Sequence, residues 1–233
     1  QYGYDGVDFR GLGQELEVYR LPAFSTAAAE TARKIARSRL AVSAFSSGAR
    51  IFQAVPALGQ NHFDEVAQYA RLCRTFSCTA IRVFGGPLGQ TPLDEAIETA
   101  AATLKRMADM VGEKITLAVE THDDWIRSSR LAEVLKRVDA PNVGILWDLH
   151  HPYRLAGESP QQTYDNIGRF VVATHVKDSR AGGEGQYQYC LGGEGDVPLA
   201  EMVRLLQAGG YDGYLTLEWE KKWHPELAGP EVA

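Results

Sequence analysis

Seven short apolar runs, rich in β-branched residues, recur along the chain with helical stretches between them. The runs are Gly6–Arg10, Leu40–Ser46, Ala80–Gly85, Ile115–Glu120, Val143–His150, Val171–Lys177 and Tyr214–Glu220. Parallel strands need long crossovers, so a strand–helix alternation predicts a parallel sheet covered by helices. The runs are continuous rather than alternating, as in strands buried on both faces. Between them, Phe63, Val66, Ala70 and Cys73 step by three and four residues. Ile97, Ala101, Leu104, Ala108 and Val111 also fall on one apolar stripe. Thr91 before Pro92, with Asp94 at the capping-box position, marks a helix start. No Pro/Gly/Ser-rich linker interrupts the pattern, which predicts one domain over residues 1–233.

Seven strands are one fewer than a (β/α)₈ barrel contains. An internal repeat bears on the eighth. Gly3-Tyr4-Asp5-Gly6 leads into the first run and Gly210-Tyr211-Asp212-Gly213 into the last. The second copy follows a helix at about Leu199–Gln207, stopped by Gly209-Gly210. Pro225–Ala233 has the makings of a further helix, cut short. The expectation is an α/β fold of the (β/α)₈ TIM-barrel type lacking its first strand and helix and most of its last helix. A smaller open sheet is the alternative.

Composition removes other classes. Hydrophobic residues make up 45% and charged residues 23% of the 233, near the globular average. A net charge of -6 argues against a duplex nucleic-acid partner, which needs surplus cations. No apolar run reaches the roughly 20 residues that span a bilayer, so no membrane partner is expected. Cys73, Cys78 and Cys190 fit no zinc-finger or disulfide spacing, which suits a reducing cytoplasm.

The last four strands each end in a metal-binding type of side chain. ITLAVETH brings Glu120, VGILWDLHH brings Asp148, VVATHVKDSR brings His175 and YLTLEWE brings Glu218. The positions 120, 148, 175 and 218 are 28, 27 and 43 residues apart. The longest interval holds a Gly-rich loop, Gly182–Gly195. Period-two alternation gives the four residues a common face, with Ala118, Leu146, Ala173 and Thr216 two positions earlier. Leu117, Val119, Ile145, Leu215 and Leu217 then face the helices. Strand C-termini are where barrel active sites lie. Three carboxylates and an imidazole brought together there repel one another unless a cation joins them. Oxygen-rich ligation with one imidazole suits Mn²⁺ or Mg²⁺, with Co²⁺ or Zn²⁺ as alternatives.

The segments ETHDDW, WDLHH, HVKDSR, LGGEGDVPL and EWEKKWHPEL resemble those of the sugar isomerase/epimerase group of xylose-isomerase-like TIM barrels. The resemblance runs from the first strand to the last residue. It implies one divalent metal ion on Glu120, Asp148, His175 and Glu218, with Glu120 and Glu218 as catalytic base and acid. The implied reaction is enediolate isomerisation or epimerisation of a ketose, a related polyol or a sugar phosphate. The chain departs from ketose 3-epimerases at Ile126, where those enzymes carry a Glu six residues after the first ligand. HVKDSR is also similar to inosose dehydratases, the alternative reaction. An endonuclease-IV-like trinuclear site needs ligands that QYQYCLGGEGD does not supply. A non-catalytic sugar-binding barrel is the reading from a different class.

Further substrate-binding candidates are His151, His122, Lys177 and Arg180. His151 lies three residues after Asp148, where related enzymes place a substrate-binding His. His122 and Lys177 share strand parity with the neighbouring ligands, and Arg180 lies in the following loop. Gly85-Gly86 allows either close approach to a ligand or a tight turn. Trp125 and Trp223 are rim residues suited to stacking on a sugar or to packing. The partner expected is a small sugar or sugar phosphate, and a homo-oligomer is left open.

Overall fold

The computed structural model describes residues 3–54, 61–229 and 232. Its strands are β1 (Gly6–Phe9), β2 (Ala41–Arg50), β3 (Ala80–Phe84), β4 (Thr116–Glu120), β5 (Val143–Asp148), β6 (Val171–Val176), β7 (Asp178–Ala181), β8 (Tyr187–Cys190) and β9 (Thr216–Leu217). All except β7 and β8 form one sheet in chain order, with every neighbouring pair parallel. The main helices are α1 (Ala28–Arg37), α2 (His62–Phe76), α3 (Leu93–Val111), α4 (Ser128–Arg137), α5 (His151–Ala156), α6 (Pro160–Ile167) and α7 (Leu199–Ala208).

The periodic stripes are the buried helix faces. On α2, Val66, Tyr69, Ala70, Leu72, Cys73 and Phe76 are buried; on α3, Ile97, Ala101, Leu104, Ala108 and Val111 are. They join Phe45, Ile81, Val83, Leu117, Val119, Ile145 and Trp147 of the sheet in one hydrophobic cluster. Asn61 caps α2, its side-chain oxygen accepting from the backbone N–H groups of Phe63 and Asp64 at 3.2 Å. The cap expected from Thr91 does not form. Pro92 occupies the cap position of α3, leaving Thr91 one residue too early, and no side chain caps the helix.

Seven parallel strands form the nearly closed barrel sheet, as expected. Among the described residues no strand bridges β1 and β9. A cavity of about 970 Å³ lies between them, open to the sheet interior at Asp8, His175 and Glu218. Loop contacts bring the two edges together. The Tyr214 ring lies close to Gly6, where a Cβ would meet it at 3.1 Å, and the Lys222 ammonium donates to the Gly13 carbonyl at 3.3 Å.

The last strand differs from its expected form. Only Thr216 and Leu217 of Tyr214–Glu220 are paired, because β6 is their single neighbour. Leu215 is 51% exposed and Leu217 36%, so these two do not cover a helix. Residues 221–227 form turns rather than a helix, and 230, 231 and 233 of the expected Pro225–Ala233 segment lie outside the described residues. The Gly182–Gly195 segment is more ordered than a loop: β7 and β8 make an antiparallel hairpin. The Asp178 carboxylate anchors its base, accepting from the backbone N–H groups of Gly193 (2.9 Å) and Gly195 (3.0 Å).

Gly85 and Gly86 serve packing. A Cβ on Gly85 would lie 2.1 Å from Trp125 Cδ1, so the indole fills the space that the missing side chain leaves. Gly86 has φ +95°, and the Trp125 indole N–H donates to its carbonyl at 2.7 Å. Trp125 is thus a buried core residue, which removes it as a sugar-stacking surface; Trp223 is 58% exposed. Gly85→Ala should therefore lower stability by about 1–3 kcal/mol through overpacking. Urea unfolding followed by tryptophan fluorescence measures this, and an unchanged midpoint would contradict the packing role.

Candidate metal centre

Register brings the ligand candidates together. Asp148 on β5 lies directly opposite His175 on β6, and Glu120 ends β4 opposite Leu146. Glu218 follows β9, its backbone N–H donating to the Val176 carbonyl at 3.0 Å. One ligand atom from each of Glu120, Asp148, His175 and Glu218 falls within 4.8 Å of the others. Glu120, Asp148 and His175 are buried, while Glu218 is 25% exposed and borders the cavity.

The donor atoms suit a cation. Asp148 Oδ1 accepts the backbone N–H groups of His150 (2.8 Å) and His151 (2.9 Å), which fixes the carboxylate at the start of α5. Its Oδ2 and Glu120 Oε2 are buried, each with an ion-pair contact but no aligned hydrogen bond. His175 Nδ1 is 3.1 Å from Glu120 Oε1 and 3.4 Å from Glu218 Oε1. Carboxylate oxygens buried in this way are costly, and a divalent cation among them satisfies both charge and lone pairs.

Protein cations do part of this work. Arg82, on β3, brings its Nε within 3.2 Å of Glu120 Oε2, an ion-pair contact without hydrogen-bond alignment. Its Nη1 donates to the Ser47 carbonyl at 2.7 Å, and its guanidinium lies 3.8 Å from the centre of the Phe84 ring. Lys177 Nζ is 2.8 Å from Asp148 Oδ2 and 3.0 Å from Glu220 Oε1, and it also contacts Glu218. Asp8, Glu120, Asp148, Glu218 and Glu220 are five carboxylates facing two permanent cations, Arg82 and Lys177. The excess is negative.

Titration follows from these neighbours. Burial would raise the Glu120 carboxyl, but Arg82 and His175 hold it well below the usual carboxylate range. Burial likewise opposes charge on Asp148, and His151 and Lys177 reverse it. Burial would lower the His175 imidazole, yet Glu218 and Glu120 raise it well above 6.5. The Lys177 ammonium, penalised by burial, is held charged by Asp148, Glu218 and Glu220.

The remaining candidates separate. His151 is buried beside Asp148, and its Nδ1–H donates to the Thr121 carbonyl at 3.0 Å. That tautomer leaves Nε2 as an acceptor, and burial lowers the ring's pKa. His122 stands at the edge, bonded to Asp123 at 2.8 Å and packed on Phe84 and His151. Lys177 is buried within the cluster of candidate ligands. Arg180 departs from its expected place. It lies on the hairpin, 60% exposed, with Nε donating to the Glu194 carbonyl at 2.9 Å and a second nitrogen 3.2 Å from the Glu194 carboxylate. The hairpin redirects the chain after Lys177 and takes Arg180 out of the cluster.

The sequence pattern did not single out Asp8, Arg82, Glu220 or His150. A charge inside the runs GVDFR and AIRVF was a legible signal for the first two. His150 has its Nε2 at 2.9 Å from Ser179 Oγ, and burial pulls its pKa down to about 3, so it is neutral at physiological pH.

A sequence model described as "Xylose isomerase-like TIM barrel" matches residues 1–232. An uncharacterized protein, MJ1311, of Methanocaldococcus jannaschii is 28% identical over 95 residues, which are 40% of this chain and 31% of that protein. The match thus spans about a third of that relative's length. The IOLI protein with a bound zinc atom superposes with a TM-score of 0.77 at 15% identity, covering 99% of this chain and 84% of that one. The probable 3-DHS dehydratase AsbF of Bacillus anthracis gives 0.74 at 16% identity, with coverages of 94% and 83%. A D-tagatose 3-epimerase-like protein gives 0.69 at 18% identity, with coverages of 92% and 81%. At these identities the likeness is one of fold.

Two outcomes are expected of the metal-free protein. Lys177→Met leaves Asp148 as a buried charge without its partner and should cost about 3–5 kcal/mol. Denaturant melts in chelator measure this, and an unchanged midpoint would contradict the ion pair. His175 should titrate above its unfolded value of about 6.5. A raised folded pKa gives stability that is fully present below about 6.5 and lost as pH rises through the folded value. Imidazole proton shifts read the titration directly, and a midpoint at or below 6.5 would refute it.

Proposed function

The chain belongs to the xylose isomerase-like TIM barrel family, and from that premise we propose that it is a divalent-metal-dependent isomerase or epimerase. Its substrate in this reading is a ketose, a related polyol or a sugar phosphate, handled by one barrel domain over residues 1–233. The observation that carries the reading is the convergence of Glu120, Asp148, His175 and Glu218 within 4.8 Å. The buried oxygens of Glu120 and Asp148, which have ion-pair contacts but no aligned hydrogen bond, support a cation there. Mn²⁺ or Mg²⁺ best suits three carboxylates and one imidazole, with Co²⁺ or Zn²⁺ as alternatives.

Isomerisation and epimerisation both remove a proton from the carbon beside a carbonyl and return it. A bound divalent cation supplies Lewis-acid stabilisation of the charge that develops on the carbonyl oxygen, worth several kcal/mol. Glu120 and Glu218 are assigned the proton transfers. Arg82 keeps Glu120 ionised and so able to accept a proton. Glu218 borders the cavity, where a proton donor or acceptor can meet substrate. Each such group typically contributes about 10²–10⁴-fold. Asp148, tied by two backbone N–H groups, holds its ligand oxygen in place. His151 Nε2 is assigned as acceptor for a substrate hydroxyl, with His122 at the entrance.

The dehydratase alternative rests on Lys177. Its buried ammonium touches Glu218, so a proton donor stands beside the assigned base and could protonate a departing β-hydroxyl.

The test is turnover of a panel of ketoses, inososes and sugar phosphates with Mn²⁺ in deuterated water. Product should carry one deuterium on the carbon beside the carbonyl, whereas a dehydratase releases water. Glu120→Gln and Glu218→Gln should each cost at least about 10²-fold in rate at saturating metal. An active substrate that takes up no label would replace proton transfer with a direct hydride shift. Full metal occupancy in the Asp148→Ala, His175→Ala double variant would remove the site.

A further inference from the structure

Asp8 has no part in the reading above, yet its carboxylate is one of the buried groups around His175. It sits on β1, across the seam from β9, with its side chain 8% exposed. Oδ2 accepts the Ser46 hydroxyl at 3.0 Å and lies 3.5 Å from His175 Nε2. Oδ1 is buried and has no hydrogen-bond partner. The β1–β2 register shifts between Val7 and Asp8, a local bulge of the kind that re-aims a side chain. Ser46, on β2, then orients the carboxylate.

The two ring nitrogens of His175 face different surroundings. Nδ1 points into the ligand cluster, 3.1 Å from Glu120 and 3.4 Å from Glu218. Nε2 points away from it, toward Asp8. A neutral imidazole has one N–H and one lone pair, and the partner of the N–H decides which nitrogen is free to bind. A carboxylate on the far nitrogen also makes the near nitrogen more basic.

We infer that Asp8 is the positioning residue of His175: it accepts the Nε2–H, orients the ring and leaves the Nδ1 lone pair for the cation, with Ser46 holding Asp8 in turn. The inference rests on the reading of His175 as a ligand. A plain structural role, with Asp8 merely closing the seam, predicts lost stability without altered metal binding.

Zinc affinity, measured by competition with a chelating dye at fixed pH, separates the two. Asp8→Ala should weaken Zn²⁺ binding about 10–100-fold, the range for removing such a partner. Asp8→Asn keeps an acceptor oxygen of the same shape and should lose less, and Ser46→Ala should lose least. Long-range ¹H–¹⁵N spectra of the zinc-loaded protein should show His175 protonated on Nε2, with that proton exchanging faster in Asp8→Ala. Thermal melts in chelator report stability separately, and Asp8→Asn carries the test if Asp8→Ala does not fold. Zinc affinity within twofold of the parent in both Asp8 variants would overturn the inference, whatever the melts show. If His175→Ala weakens zinc while the Asp8 variants do not, Asp8 alone is reassigned. If His175→Ala binds zinc like the parent, the ligand reading fails and this inference with it.

Discussion

The site is organised around one electrostatic problem: Glu120 and Asp148 are carboxylates with almost no access to water. An ionised carboxylate is stable there only if cations and donors replace its hydration. Arg82 meets Glu120, Lys177 meets Asp148, and two backbone N–H groups at the start of α5 bind Asp148. Each neutralising group comes from a different element, so the arrangement depends on the whole sheet. His175 joins both sides, facing Glu120 through one nitrogen and Asp8 through the other. The protein cations leave a negative excess, and a divalent ion is the chemical complement of that excess.

The parallel sheet makes such crowding possible. All its strands run the same way, so their C-terminal ends gather on one face, and each contributes its last inward side chain there. The pairing of Asp148 with His175 is an example, since one step of register would turn one of them toward the helices. Trp125 packs past the end of β3 by occupying the space of the Gly85 side chain.

The opening between β1 and β9 shapes what the site can do. Glu218 follows a strand paired on one side only, and it is the most exposed of the four candidate ligands. The chemistry assigned to it needs that access. Asp8 faces the same opening from β1, linking the two edges through His175. Their separation of 167 residues in the chain makes this contact wholly tertiary.

What the sequence determined by itself was whatever repeats or alternates. Strand and helix periods are local, so seven strands, the stripes on α2 and α3, and one ligand type at each of the last four strand ends were readable from residue spacing. The position of Lys177 on the inward side followed from the same parity as His175. The tertiary structure decided what depends on residues far apart. Arg180 left the site because β7 and β8 pair as a hairpin, and a Gly-rich composition does not reveal that pairing. Leu215 and Leu217 stayed exposed because no helix among the described residues covers β9. Arg82 and Asp8 entered the site because barrel curvature aims distant strands at one point, and a buried charge must find its counter-charge in space rather than in sequence.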